Sequence, residues 1–180
     1  MKKVINEEEV FYKLIELGKD ILFSKSYQEL HSFIKHGNTS TFTHCVMVTY
    51  FSLLKMIKKN KKFDERSLVR GGLLHDYYLY DWHDKEVNRP RLHGFHHPFI
   101  ALKNAKRGYD INTLEEQIIK RHMFPLTIVP PIKKEARIIS LKDKKCSLKE
   151  TFNKRPYEKY EYLLEILKKR IKEELKDEIL

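Results

Sequence analysis

Cysteine is scarce in this sequence: Cys45 and Cys146 are the two in 180 residues. A pair so far apart excludes a disulfide scaffold and any CxxC zinc module, and a reducing cytosol is the simplest setting for it. Glycine and proline are also few, six of each. That argues against a turn-dense β sandwich and against collagen-like or low-complexity classes. Long hydrophobic runs are missing. The longest, Cys45 to Leu54, is interrupted by Thr49, Tyr50 and Ser52, whereas a bilayer span takes about 20 apolar residues. The start, MKKVINEEEV, turns acidic before any apolar signal core forms. These absences predict a cytoplasmic protein with no membrane partner.

What is present supports a folded core. Apolar residues make up 41% of the chain, with ten Phe and ten Tyr, too much core-forming material for a disordered chain. The length predicts one domain, residues 1–180. Lys and Arg number 36 against 25 Asp and Glu, a formal charge of +11. Lysines coating helix faces explain such a charge in the ordinary way; an anionic partner such as a nucleotide or phosphate ester explains it more sharply. Nucleic acid stays open as a partner with little support, because the basic run Lys55 to Lys62 lacks interleaved aromatics.

Periodicity predicts an all-α helical bundle. Asn6 followed by three glutamates opens a first helix with Val10, Phe11, Leu14, Leu17, Ile21 and Leu22 on its period. A short helix is expected over Ser26 to Ile34, and Gly37 to Ser40 reads as loop and cap. Further helices are expected with Met47, Val48, Phe51 and Leu54; after the cap Asp64; from Pro98 in a first turn; and after a Thr113-x-x-Glu116 capping box. Two more are expected from Ile132 to about Cys146 and after the break at Asn153 to Pro156. Residues 80 to 96 read as irregular. No strand or repeat is evident. The last helix, with Leu163, Leu164, Leu167, Ile171 and Leu175, packs on the core or forms a homodimer seam.

Four of the nine histidines sit where apolar residues point. His44 shares the face of Met47, Val48 and Phe51; His75 follows Leu68 and Gly71 or Gly72; His122 follows Ile118 and Ile119; His97 opens the helix of Ala101. Asp143 continues the face of Ala136 and Ile139, and Asp76 follows Leu73-Leu74. A buried carboxylate costs several kcal/mol, roughly, unless it is paired or binds a metal. Six such cases converging from five helices point to a metal site, and imidazole with carboxylate suits Fe, Mn, Co or Zn better than Ca or Mg.

The ordered set His44 … His75-Asp76 … His97 … His122 … Asp143 resembles the HD superfamily of metal-dependent phosphohydrolases, in its six-ligand dinuclear form. Arg70-Gly-Gly-Leu-Leu-His75-Asp76 is similar to that family's apolar helix ending in the His-Asp pair, and His97-Pro98-x-x-Ala101-Leu102 to its His-Pro helix start. The likeness covers about residues 36–147, leaving 1–35 and 153–180 as helical extensions packed on the core. A second pair, His83-Asp84, lies in a polar stretch and reads as loop or site rim. His96 competes with His97, and the Pro98 register favours His97. The lysine that many members carry three residues after the Asp is Leu79 here, and the Gly-Tyr-Pro signature of the cyclic di-GMP branch is absent.

The resemblance implies two divalent transition metal ions. One would be held by His44, His75, Asp76 and Asp143, the other by His97 and His122 with Asp76 bridging. The expected activity is hydrolysis of a phosphate ester or phosphoanhydride, nucleotide-like, by a metal-bridging hydroxide, with His75 and Asp76 as the central catalytic pair. Arg91, His93 and Arg121 are the candidate contacts to substrate phosphate, and Trp82, Tyr77, Tyr78 and Phe95 form either an aromatic wall or core. His36 is placed to close the site from above. Two other readings use the same residues: a mixed-valence di-iron oxygenase, and a binding or regulatory module of the same fold with little turnover.

Overall fold

The computed structural model describes residues 5–60, 62–84 and 92–177. Among the described residues eight α-helices carry the fold, and the all-α expectation holds. Asn6 caps α1 (Glu7–Leu22) by accepting the Glu8 amide, and Asp64 caps α4 (Glu65–Leu74) by accepting the Ser67 amide. Each cap satisfies an amide that has no partner within its helix. The apolar face of α1 is buried, with Leu14, Ile15, Ile21 and Leu22 fully covered.

The expected helix over Ser26 to Ile34 does not form as one element. Ser24 caps a single turn, α2 (Lys25–Gln28), a 3-10 turn follows at Glu29–Ser32, and the chain then extends into β1 (Ile34–His36). This strand pairs antiparallel with β2 (Thr39–Ser40). The expectation of no strand is corrected by this small hairpin, which short-range periodicity is too brief to reveal. Its turn needs Gly37, at φ 54. A Cβ there would also meet the Glu150 carbonyl oxygen at 2.6 Å, so the turn is held against the helix that carries Asp143.

Ser40 caps α3 (Thr41–Lys58), which packs with α4, α6 (Thr113–Arg121) and α7 (Lys134–Phe152) around the centre of the molecule. The approach of α4 is close enough to demand glycine. A Cβ on Gly71 would lie 2.9 Å from Ile118, and one on Gly72 would lie 2.6 Å from Thr49 Oγ1. On the same helix Arg70 is 1% exposed. Its guanidinium binds Glu115 at 2.8 Å, the Asp110 carbonyl at 2.8 Å, and Asp20. One side chain thus ties α1, α4 and α6 just before the His75-Asp76 pair.

Three boundaries differ from expectation. The capping box is Asn112 with Glu115, one residue before the Thr113–Glu116 pattern, because the Asn112 side chain accepts the Leu114 and Glu115 amides while Glu115 accepts the Asn112 amide. Helix α5 spans His93–Gly108, so Pro98 lies inside it rather than in its first turn. Having no N–H, Pro98 donates no helical bond to the Gly94 carbonyl. Helix α7 continues past Cys146 to Phe152. In α8 (Glu161–Asp177), Leu163 and Leu167 are fully buried and Ile171 is 6% exposed. Its apolar stripe therefore packs on the chain's own core. No described helix is long and apolar enough to cross a membrane.

Candidate metal centre

All six residues singled out in the sequence meet in one buried cluster. His44 from α3, His75 and Asp76 at the end of α4, and Asp143 from α7 form one group of potential ligand atoms; Asp76, His97 from α5 and His122 at the end of α6 form a second. His44, His75, Asp76 and His122 are fully buried, and His97 and Asp143 nearly so. Asp76 belongs to both groups through different oxygens. Its Oδ2 faces His44 Nε2 at 3.5 Å and His75 Nε2 at 3.4 Å. Its Oδ1 faces His97 Nε2 at 3.0 Å and His122 Nε2 at 3.5 Å.

Every imidazole is held from behind. Nδ1 of His75 lies 2.7 Å from the Gly72 carbonyl, that of His122 lies 2.7 Å from the Ile119 carbonyl, and that of His97 lies 3.1 Å from the His93 carbonyl. A carbonyl only accepts, so in each of these three rings Nδ1 carries a proton and Nε2 is the nitrogen turned to the cluster, the one whose lone pair a metal ion would take. His44 Nδ1 is held by the Glu150 carboxylate at 2.8 Å, which in turn accepts from the Tyr157 hydroxyl. Carbonyl and carboxylate partners behind inward-facing nitrogens are the usual outer support of metal-binding histidines.

The interior atoms fit a cation. The Nε2 atoms of His97 and His122 stand 2.9 Å apart, and two lone pairs cannot hydrogen-bond to each other without a proton or an ion between them. His75 Nε2 and both Asp76 oxygens are buried without a hydrogen bond, and of these three atoms Oδ2 has an ion pair with Lys35. Such groups are costly to bury unsatisfied. The buried His and Asp groups can therefore hold metal ions.

Electrostatics agree with this. Burial alone would push the Asp76 carboxyl up, but the Lys35 ammonium and the His75 and His97 imidazoles outweigh it and hold it well below the usual range. Burial likewise opposes charge on His44, yet the Glu150 and Asp143 carboxylates carry it up to about 9. For His122 burial wins, and its imidazole is pushed down to about 4.

The remaining sequence candidates scatter. His93 stands at the cavity beside the cluster, 2.9 Å from the Tyr80 hydroxyl. Arg121 does not face that cavity; it donates to the Pro130 carbonyl at 3.1 Å and lines a separate hollow with Phe95 and Phe99. Arg91 lies outside the described residues. His96 is exposed, so His97 is the residue turned inward. His83-Asp84 is exposed, and His83 pairs with Asp81 at 3.1 Å. Tyr77 and Tyr78 are core, while Trp82 and His36 line the cavity.

Two residues of the site escaped the sequence reading. Lys35, 6% exposed, brings its ammonium to 2.5 Å from Asp76 Oδ2; it arrives on the unforeseen hairpin, and nothing in its sequence neighbourhood signals this. Glu150 was legible in principle, seven residues after Asp143 and so on the same face of α7, but that helix was expected to end earlier. Outer-support substitutions at metal sites cost about 10- to 100-fold in affinity. Glu150→Gln should therefore bind metal about that much more weakly with its helix content intact, as read by competitive chelator titration and circular dichroism.

No family model matches the chain, and no curated protein or solved structure is significantly similar to it.

Proposed function

We propose that the protein is a metal-dependent phosphohydrolase of the HD type, with two divalent transition metal ions sharing Asp76. The observation that carries this reading is the division of the Asp76 carboxylate, one oxygen toward His44 and His75 and the other toward His97 and His122. Four imidazoles and two carboxylates suit Fe, Mn, Co or Zn. Ions bound there supply Lewis acidity, bringing the pKa of water toward neutrality and polarising a phosphoryl oxygen.

The chain's own residues do the rest. Glu150 and the backbone carbonyls aim the four imidazoles. Lys35 offsets the charge of Asp76 where the cluster meets the cavity, so that an anionic phosphate can approach. In the overall reaction water adds to phosphorus, the P–O bond to the leaving group breaks, and that group departs with a proton. No serine or cysteine nucleophile is needed; Cys45 and Cys146 are buried free thiols, as suits the cytoplasm.

Metal per chain is the first test, on protein purified anaerobically without chelator, followed by phosphate release with Mn, Fe, Co or Zn. About two ions with phosphate release support the reading. Two irons with oxygen uptake and no phosphate release would replace it with the oxygenase. No metal retained or restored would replace it with a binding module.

Metal binding should also be proton-linked. His44 keeps its proton up to about 9 in the metal-free chain, so at pH 7.5 an ion displaces at least that proton. Affinity should fall as pH falls, by at least about tenfold per unit between pH 8 and 6. Calorimetry in two buffers of different ionisation enthalpy counts the protons; no release would contradict His44 as a ligand.

A further inference from the structure

Resting on the phosphohydrolase reading, we propose that the substrate is a phosphate ester of an apolar body, alkyl or aryl, rather than a charge-dense polyphosphate. A cavity of about 1070 Å³ opens from the cluster, with Lys35, His97 and Asp143 among its lining. Its walls carry Trp82, Met123, Pro125, Leu126 and Leu148. The Trp82 ring stacks on His93 at 5.3 Å and 12°, and His93 stacks on His97 at 4.6 Å and 19°. Three near-parallel planes thus lead from the apolar wall to a ligand of the cluster.

Charge separates the two substrate classes. Among the described residues, the lysines that line the cavity are Lys35 and Lys144. Lys35 is paired with Asp76. The Lys144 ammonium donates to the His122 carbonyl at 2.9 Å, the Ser140 carbonyl at 3.1 Å and the Ser140 hydroxyl at 2.9 Å. Both ammonium groups are already engaged, so the phosphate that meets the cluster is the one the described site can neutralise. Further phosphates would lie mostly against tryptophan, leucine, methionine and proline, with the Ser147 and Thr151 hydroxyls and the His36 ring as the polar groups beside them, and would lose more water than these replace, which is unfavourable. An apolar body loses water there to its advantage, as in most small-molecule sites.

Trp82 is the chain's single tryptophan, so its fluorescence reports occupancy of this cavity. The metal-loaded full chain is titrated with inorganic phosphate, tripolyphosphate, and butyl, hexyl and octyl phosphate below their micelle concentrations. Each buried methylene should tighten binding about threefold to fourfold, giving octyl phosphate about a hundredfold advantage over butyl phosphate. Leu148→Asp, at a position 61% exposed, should reduce the octyl-to-inorganic phosphate affinity ratio at least about tenfold. Affinity flat with chain length, tripolyphosphate binding more tightly than octyl phosphate, or an unchanged ratio in Leu148→Asp would overturn the proposal. Phosphate release is followed in the same samples. Release from butyl phosphate and tripolyphosphate without a chain-length gain rejects the apolar substrate and keeps the hydrolase. A chain-length gain without release under any of the four metals rejects the hydrolase, and with it the role of the bound ester as a substrate.

Discussion

Asp76→Ala should leave the chain with neither ion and without phosphate release. Asp76 belongs to both groups of potential ligand atoms, so its removal would take a ligand from each of the two proposed ions at once. Loss of metal-ion catalysis is worth several kcal/mol, roughly a thousandfold or more in rate. The alanine variant also strands the Lys35 ammonium, 2.5 Å from the lost carboxylate. Breaking a buried pair by removing one partner costs about 3–5 kcal/mol, so unfolding could imitate metal loss. Asp76→Asn separates the two effects: it keeps the shape and an oxygen facing Lys35 but removes the charge an ion needs. It should unfold less stably than the parent but still cooperatively and above room temperature, and still lose metal by elemental analysis. Undiminished metal content in this folded variant would refute the shared-ligand assignment. His83→Ala and Asp84→Ala, at the exposed second pair, should keep the parent's metal content.

The next largest effect is expected at Arg70. Arg70→Ala removes the partner of Glu115, which is fully buried, and leaves the Asp110 carbonyl without its donor. The penalty for an orphaned buried charge, about 3–5 kcal/mol, corresponds to a melting temperature about 10 °C lower for a chain of this size. Calorimetry on the metal-free protein reads it directly. Replacing both partners by apolar residues, Arg70→Met with Glu115→Leu, should recover only part of the loss: the buried charge is no longer orphaned, but the Asn112 amide loses its cap and the Asp110 carbonyl its donor. A shift below about 2 °C in Arg70→Ala would mean that this tie between α1, α4 and α6 holds little. Arg70→Lys should not substitute well, because one ammonium cannot reproduce the planar fork that reaches three acceptors.

The sequence by itself determined the long helices, apart from some of their ends, and the six inward-facing side chains. Both follow from local rules. A period near 3.6 shows which face of a helix is covered, and a histidine or aspartate on that face must be covered with it. This is why His44, His75, His122 and Asp143 could be placed from their apolar neighbours, and why the exposed pair His83-Asp84, without such neighbours, could be set aside. Arg121 is adjacent to His122 in sequence, but neighbouring helical residues face different ways, and its guanidinium turns to Pro130.

Only the tertiary structure decided what stands behind and beside those six residues. Lys35 reaches Asp76 from a two-stranded hairpin too short to leave a pattern, and the hairpin is fixed by Gly37 against α7, over a hundred residues later. Glu150 reaches His44 from the turns of α7 beyond its expected end. The Asn112–Glu115 cap coincides with the Arg70 tie because the one buried carboxylate serves both. The apolar cavity joins Trp82, Leu126 and Leu148 from separate segments. Contacts between distant segments depend on how helices cross, and side-chain packing in three dimensions sets that crossing, which periodicity along one chain does not encode.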